Sequence, residues 1–353
     1  MNEKIIALIY DFDKTLSPKD MQEYAFIPEL DMESKDFWAK CNEKMRLNNM
    51  DQILAYMRVM IEESHGKAIV TQKKFFEQGK NVELFKGVPD WFKRVNDYAA
   101  KLGFKIEHYI ISSGIKSIIE GTSIAGEFKE IYAAEFCYDD GGVPYWPALA
   151  VNYTSKTQFL FRINKGILNV IENEKLNEYM PENERRIPFK NMIYVGDGLT
   201  DIPSMKVVKS SGGHSIAVYQ GDKKAEVNRM VLQERVDFVV EADYSQNSTM
   251  ENRVFAIVDK IAADDNIIAL HNKDIEIAKE EKEEKQKEKW IQGDTEVDVG
   301  EDTDDASAIP KCPTCKAEMV LRTVKKEPNA GKKFWGCSDF PNCKGSLPYT
   351  LDN

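Results

Sequence analysis

Six apolar residues in a row, Ile5-Ile6-Ala7-Leu8-Ile9-Tyr10, stop abruptly at two acids one residue apart, Asp11 and Asp13. An isoleucine-rich run of this kind reads as a buried strand of a parallel sheet whose carboxyl end opens onto a loop. Open α/β sheets bind their ligands at that end. Two carboxylates so close together repel each other, so the pair asks for a cation beside it or a proton held on one of them. Two later stretches have the same form. Ile106 to Ile111 is an apolar run ending at Ser112-Ser113-Gly114, with a helix expected from near Ile115. Small hydroxyls, a glycine and a helix start present N–H and O–H groups to an anion, which suits a phosphate. Met192-Ile193-Tyr194-Val195 then runs into Gly196-Asp197-Gly198-Leu199-Thr200-Asp201, a second acid pair flanked by glycines that let the backbone turn tightly.

If these strands are parallel neighbours, Asp11, Asp13, Ser112, Asp197 and Asp201 meet at one edge of the sheet. Lys156 is expected in the first turn of an amphipathic helix through Phe159, Leu160, Ile163 and Ile167. A lysine there opposes the helix dipole, which implies a tertiary reason for its position. Several acids with one lysine leave excess negative charge, which Mg²⁺ would offset as a hard, oxygen-preferring cation. A phosphate group then fits the remaining donors.

Between the first two strands, residues 17–86 place apolar side chains at helical spacing (Phe37-Trp38, Met45, Ile53-Leu54, Met57, Met60-Ile61), the pattern of a helical insertion. Their ordinary role is core packing, and a lid over the first loop would let some of them line a pocket. Gly87-Val88-Pro89-Asp90 opens a helix that Gly103 ends, Glu135 to Tyr153 reads as a β-hairpin about Asp139-Asp140-Gly141-Gly142, and His214–Tyr219 and Val236–Val240 complete the sheet. A helix over about 250–262 closes this domain, residues 1–265. Residues 266–306 turn to lysine and glutamate and then, over 293–305, to an acidic stretch without a basic residue, read as a solvated helix and a flexible linker.

The net charge of -11 argues against nonspecific nucleic-acid binding by the whole molecule while permitting a local basic patch. No apolar stretch is long enough to span a bilayer, and the N-terminus enters the first strand without a secretory signal, so the protein is expected in the cytoplasm. Cys41 and Cys137 stand apart as packing residues, whereas Cys312, Cys315, Cys337 and Cys343 cluster within 307–353. Two thiolate pairs separated by about twenty residues, in a segment with little apolar core, suit tetrahedral Zn²⁺ in a zinc ribbon.

The set Asp11-Phe12-Asp13-Lys14-Thr15-Leu16, Ser112-Ser113-Gly114, Lys156 and Gly196-Asp197-Gly198-Leu199-Thr200-Asp201, in that order, resembles the haloacid dehalogenase (HAD) superfamily of phosphohydrolases over roughly residues 1–265. The helical insertion resembles the cap of the subclass that includes phosphoserine phosphatases. The resemblance implies a Rossmann-like, doubly wound α/β sheet with an α-helical cap and an Mg²⁺-dependent phosphatase. It makes Asp11 a nucleophile that becomes an aspartyl-phosphate, and Asp13 the acid that protonates the leaving oxygen and then activates water. Asp197, Asp11 and the Asp13 carbonyl would hold Mg²⁺ with support from Asp201. Lys156 and either Ser112 or Ser113 would bind phosphoryl oxygens, Ser112 being the residue that directly ends the strand.

The C-terminal cysteines, with Met319-Val320-Leu321-Arg322 and Phe334-Trp335-Gly336-Cys337, resemble the zinc fingers of type IA DNA topoisomerases, which help bind single-stranded DNA. Lys325, Lys326, Lys332 and Lys333 beside Phe334 and Trp335 offer charge and stacking surfaces for such binding, and a protein partner is the other use of a ribbon. Three functions follow: a phosphatase on a small phosphorylated substrate, a zinc-ribbon adaptor carrying a phosphatase-like domain, and a phosphatase acting on nucleic-acid ends.

Overall fold

The computed structural model describes residues 3–291, 310–323 and 333–348. The acidic linker and Lys325, Lys326 and Lys332 lie outside the described residues. The chain divides into two units, Met1–Ile277 and Ala278–Asn353.

The first unit begins with β1 (Ile5–Tyr10), followed by α1 (Ser34–Asn48), α2 (Gln52–Ser64), α3 (Gln72–Gly79) and α4 (Val88–Lys101). It continues through β2 (Lys105–Ile115), α5 (Lys116–Glu120), β3 (Phe128–Tyr138), β4 (Pro144–Leu149), α6 (Lys156–Lys165) and α7 (Asn173–Asn177). The remaining elements are β5 (Met192–Gly196), α8 (Ile202–Ser210), β6 (His214–Tyr219), α9 (Lys224–Leu232), β7 (Phe238–Glu241) and the start of α10 (Thr249–Ile291), a helix that runs on past Ile277. The strands form one sheet in the order β4-β3-β2-β1-β5-β6-β7, parallel except for β4, which runs antiparallel at the edge.

Alternation along β1 explains the double winding. Ile6, Leu8 and Tyr10 pack on one face with Trp91 and Val95 of α4 and Val254 and Val258 of α10. Ile5, Ala7 and Ile9 pack on the other with Phe159 and Ile163 of α6, Met205 of α8 and Met230 of α9. Both faces of the strand are dry, so the run had to be apolar throughout. Each such buried side chain contributes roughly 1.5–3 kcal/mol. The chain leaves β1 toward β2 on one side and reaches β5 on the other, so the strand order reverses at β1, where a crevice opens at the carboxyl ends.

The insertion between β1 and α4 is helical, and among its described residues it contains no strand. It shares the first core through Phe26, Phe37 of α1, Met57 of α2 and Phe75 of α3, and Phe75 stacks on Phe136 of β3 with centroids 6.1 Å apart. Asp51 caps α2 by accepting from the Ile53 and Leu54 amides, and its other oxygen accepts from Asn152 at 2.9 Å, which ties the insertion to the loop before α6. Gly87, the N-cap of α4, has φ +81°, and a Cβ there would lie 2.3 Å from the Ser245 nitrogen. Only glycine satisfies both demands.

Three local expectations need correction. β2 continues through Ser112-Ser113-Gly114 to Ile115, because Ile115 finds a pairing partner in Ala134 of β3, so the following helix is only the five-residue α5. The hairpin's first arm starts earlier than Glu135, at Phe128, since its first half pairs in parallel with β2. The helix over 250–262 and the charged helix beyond it are one uninterrupted element, α10.

A polar chain crosses the first core: Trp91 Nε1 donates to Tyr10 Oη (2.8 Å), Tyr10 Oη meets His108 Nδ1 (3.2 Å), and His108 Nε2 meets Asn96 Oδ1 (3.0 Å). Asn96 Oδ1 can only accept, so the imidazole is neutral with its proton on Nε2. Burial pushes the His108 pKa down from 6.5 to about 3. Between these values the unfolded chain binds a proton that the folded chain refuses, so stability falls as pH drops from about 6.5 toward 3 and is unaffected above that range. Denaturant titrations at pH 7 and pH 4.5 should show a loss of about 2–3 kcal/mol from this residue, absent from the difference for His108→Gln. Equal losses in the two proteins would remove His108 as the cause.

The second unit carries β8 (Met319–Thr323), β9 (Lys333–Cys337) and β10 (Ser346–Pro348), an antiparallel sheet in the order β10-β9-β8. Its buried cluster is Cys312, Met319, Cys337 and Cys343, with Ala317, Trp335 and Leu347 packed against it.

Candidate active site

The carboxyl ends of β1 and β5 and the start of α6 converge on one buried lysine. Lys156 is 0% exposed, and its ammonium lies 2.9 Å from Asp11 Oδ2 and 2.8 Å from Asp201 Oδ1. The unfavourable placement of a lysine at a helix start is thus resolved by two carboxylates. Burial alone would depress its pKa, and Asp11 and Asp201 together hold it above the ordinary value.

Each acid is held by the backbone around it. The Asp11 amide extends β1 by one more bond, to the Val195 carbonyl of β5 (2.9 Å), and Asp11 Oδ1 accepts from the Phe12 amide (2.7 Å). The buried Phe12 carbonyl accepts from the amides of Thr15, Leu16 and Ser17, folding the loop back so that Asp13 faces the same crevice. Asp13 Oδ1 accepts from the Met21 amide at 2.8 Å. Asp201, 0% exposed, accepts from Lys156 and from the Tyr194 hydroxyl (2.7 Å) on Oδ1, while its Oδ2 has no partner among the described residues. Gly196 is required by this approach, since a Cβ there would sit 2.5 Å from Asp201 Oδ2.

The charge balance is unfavourable to anions. Burial, ahead of the opposing pull of Lys156, pushes Asp11 up to about 6. Asp197 is pushed up to about 8, by burial first and then by Asp201 and Asp11. Asp13 is also raised, by burial and then by Asp20 and Asp11. A cluster of carboxylates whose ionisation is opposed by burial and by one another is one whose charge a cation completes. One oxygen each of Asp11, Asp197 and Asp201 lie within 4.8 Å of one another. The set fits a hard divalent ion.

A cavity of about 440 Å³ lies between the sheet edge and the insertion, reached by Asp11, Asp13, Ser112 and Asp197 from below and by Trp38 and Tyr56 from above. Ser112 and Ser113 both line it, but the Ser113 hydroxyl donates to the Val151 carbonyl (2.7 Å), whereas the Ser112 hydroxyl accepts from the Gly114 amide (3.1 Å) and keeps its own proton uncommitted among the described residues. Gly114, Lys156 and Asp201 stand behind the cavity wall. Tyr194, which orients Asp201, and Lys14, which pairs with Asp20 at 2.7 Å, are contributors that no local pattern marks. The only signal for Tyr194 is a hydroxyl inside an otherwise apolar strand, which must find a buried partner.

In the second unit the four cysteine sulfurs lie within 4.8 Å of one another, with Cys312 to Cys343 at 3.6 Å and Cys315 to Cys337 at 3.4 Å. These separations are too long for disulfides, at about 2.05 Å, and near the edges of a tetrahedron with metal–sulfur bonds of about 2.3 Å. The thiol of Cys312 is drawn down to about 6, first by the Cys315 amide, which favours a thiolate ligand.

Comparison with known proteins bears on both units. The family model for haloacid dehalogenase-like hydrolases matches residues 8–206, and that for the topoisomerase DNA-binding C4 zinc finger matches residues 309–350. An uncharacterized protein of Borreliella burgdorferi is 30% identical over 284 residues, covering 71% of this chain and 96% of that protein. DNA topoisomerase 1 of Archaeoglobus fulgidus is 48% identical over 40 residues, 11% of this chain and 5% of that protein. Among solved structures, a substrate-bound phosphoserine phosphatase complex aligns with a TM-score of 0.45 at 15% identity, covering 70% of this chain and 97% of that one. A HAD family hydrolase from Salmonella enterica aligns with a TM-score of 0.44 at 16% identity, covering 68% of each chain. Among the described residues no helix is long and apolar enough to cross a membrane.

Proposed function

The chain belongs to the haloacid dehalogenase-like hydrolases, and on that premise we propose that it is an Mg²⁺-dependent phosphomonoester hydrolase working through an aspartyl-phosphate on Asp11. The observation that carries this reading is the fully buried Lys156 holding Asp11 and Asp201 at the carboxyl edge of the sheet. That geometry fixes a carboxylate at the mouth of a cavity whose other polar groups suit a phosphate.

Mg²⁺ would be held by Asp11, Asp197 and the Asp13 carbonyl with Asp201 in support, and when bound it offsets charge on the transferring phosphoryl group. A carboxylate oxygen of Asp11 attacks phosphorus as the bond to the leaving oxygen breaks. Asp13, whose pKa is raised by burial and then by Asp20 and Asp11, delivers a proton to the leaving oxygen. The resulting Asp13 carboxylate then takes a proton from water, the water oxygen attacks phosphorus, and the bond to Asp11 breaks to release inorganic phosphate. The Ser112 hydroxyl donates to a phosphoryl oxygen, and Lys156 keeps Asp11 ionised and aimed. Chelation with EDTA should reduce hydrolysis of p-nitrophenyl phosphate by about 100-fold or more, and added Mg²⁺ should restore it. Full activity in EDTA would exclude the divalent ion from the reaction.

A second reading is favoured by the C-terminal match to topoisomerase DNA-binding fingers: the substrate is a nucleic-acid end, and a zinc-bound ribbon raises its local concentration. On the adaptor alternative, the first unit would hydrolyse almost nothing.

A further inference from the structure

Asp197, at the carboxyl end of β5, borders a second cavity whose wall is mainly basic where that of the first is mainly acidic. It has a volume of about 600 Å³ and shares Lys14, Asp197 and Gly198 with the first cavity, extending from them along the carboxyl end of β6 and the α9 region. Its wall carries Lys223, Arg229 and Arg235, all exposed, and among the described residues none of the three has an ion-pair partner. Asp197 is the one acid in that wall. The floor is apolar, with Val218, Val227 and Met230, so the cationic heads stand over a low-dielectric surface that strengthens their field.

The first cavity offers no such field. Its lysine, Lys14, is bonded to Asp20, and the rest of its wall is neutral or acidic. A substrate whose leaving group bears further phosphates would meet Asp13 and Asp20 on the insertion side and three uncommitted cations on the other. In a chain of net charge -11, three such cations beside the site of chemistry are a local reversal that the fold's stability does not require.

We infer that this trough is a subsite for the phosphodiester backbone of a single-stranded polynucleotide whose terminal phosphate is the group hydrolysed at Asp11. The inference rests on the phosphatase reading above and narrows it to one substrate class. A polynucleotide is favoured over a small bisphosphate because the same chain carries a segment matching topoisomerase DNA-binding fingers. Lys223, Arg229 and Arg235 neutralise backbone phosphates adjoining the scissile one, a contribution that is independent of sequence and weakened by salt. Gln220 and Gln233, in the same wall, supply neutral donors for sugar or phosphate oxygens.

The test uses the full chain and an Arg229→Glu, Arg235→Glu double variant, with p-nitrophenyl phosphate, a small bisphosphate, and tetranucleotides phosphorylated at the 3′ or the 5′ end. At about 50 mM salt the variant should raise KM for one phosphorylated tetranucleotide by about tenfold or more, with a shallower salt dependence, and leave both constants for p-nitrophenyl phosphate within about twofold. The end that responds identifies the polarity of the bound strand. An unchanged tetranucleotide KM overturns the inference while the small-ester activity leaves the phosphatase reading intact. A loss confined to the bisphosphate assigns the trough to a small polyanion and also overturns it. If the parent protein hydrolyses no ester, the phosphatase reading fails, and the trough is judged by fluorescence anisotropy of a labelled tetranucleotide. About tenfold weaker binding by the double variant then supports it, and a change under about twofold overturns it.

Discussion

Asp11→Asn is expected to lower kcat toward any phosphomonoester by about 10⁴-fold or more while the protein remains folded. An amide oxygen carries no charge to attack phosphorus and cannot form the acyl-phosphate, so the loss falls on the chemical step rather than on binding. Folding survives because the substitution keeps the shape of the side chain and because Lys156 retains Asp201 at 2.8 Å. A buried lysine stripped of both carboxylates would be a serious cost, but one remains. The Asp11 Oδ1 contact to the Phe12 amide can be kept by the new side-chain carbonyl. The comparison variant is Asp13→Asn, which keeps the nucleophile and removes the proton donor, so it should lose most on poor leaving groups and less on p-nitrophenyl phosphate. Equal activity of Asp11→Asn and the parent would sink the covalent mechanism, and trapping of phosphate on the parent but not on the variant would support it.

What made this site legible was that strand ends are local events. An apolar run that stops at an acid is visible within a dozen residues, and the runs ending at Asp11, Ser112 and Asp197 do lie side by side as β1, β2 and β5. Lys156 was readable for another reason, a local choice against the helix dipole that pointed to partners elsewhere. The pairwise contacts and the part of Tyr194 were not readable, because Tyr194, Asp201 and Lys156 touch only through packing of β5, α8 and α6 around one buried point. The early half of β3 escaped because alternation there is overlaid with charged residues, and its strand state comes from β2 beside it. The join within α10 escaped for the opposite reason: its surface changes from apolar-striped to charged while the backbone continues unchanged. The cationic trough was not read because Lys223, Arg229 and Arg235, though close together in sequence, form no charge run, and only the fold sets them beside Lys14 and Asp197.

Removing zinc is expected to abolish the ordered structure of the second unit and leave the first unit folded. Among its described residues the second unit's core cluster is Cys312, Cys337, Cys343 and Met319, so Met319 is the one buried side chain of ordinary apolar kind there. Ala317, Trp335 and Leu347 add partial cover, and among the described residues three short strands supply the ladder. Sheets this small do not stand alone in water, and structural zinc in comparable fingers contributes about 10–16 kcal/mol of apparent binding free energy that serves as folding free energy. Without the ion, four sulfurs within 4.8 Å of one another would be thiols with no shared partner, or would oxidise. In the first unit both faces of a seven-stranded sheet are covered by cores of many side chains, and the four clustered cysteines take no part in them. Hydrogen exchange on the zinc-loaded chain, repeated after chelation under reducing conditions, should show protection lost across 310–323 and 333–348 and retained across β1, β2 and β5. Phosphate release from p-nitrophenyl phosphate, assayed with Mg²⁺ restored, should persist, whereas release from a phosphorylated oligonucleotide should fall if the ribbon holds that substrate. Protection unchanged by chelation would mean that these residues are ordered without a metal, and Cys315→Ser, which removes the exposed ligand while sparing the buried three, would then be silent as well.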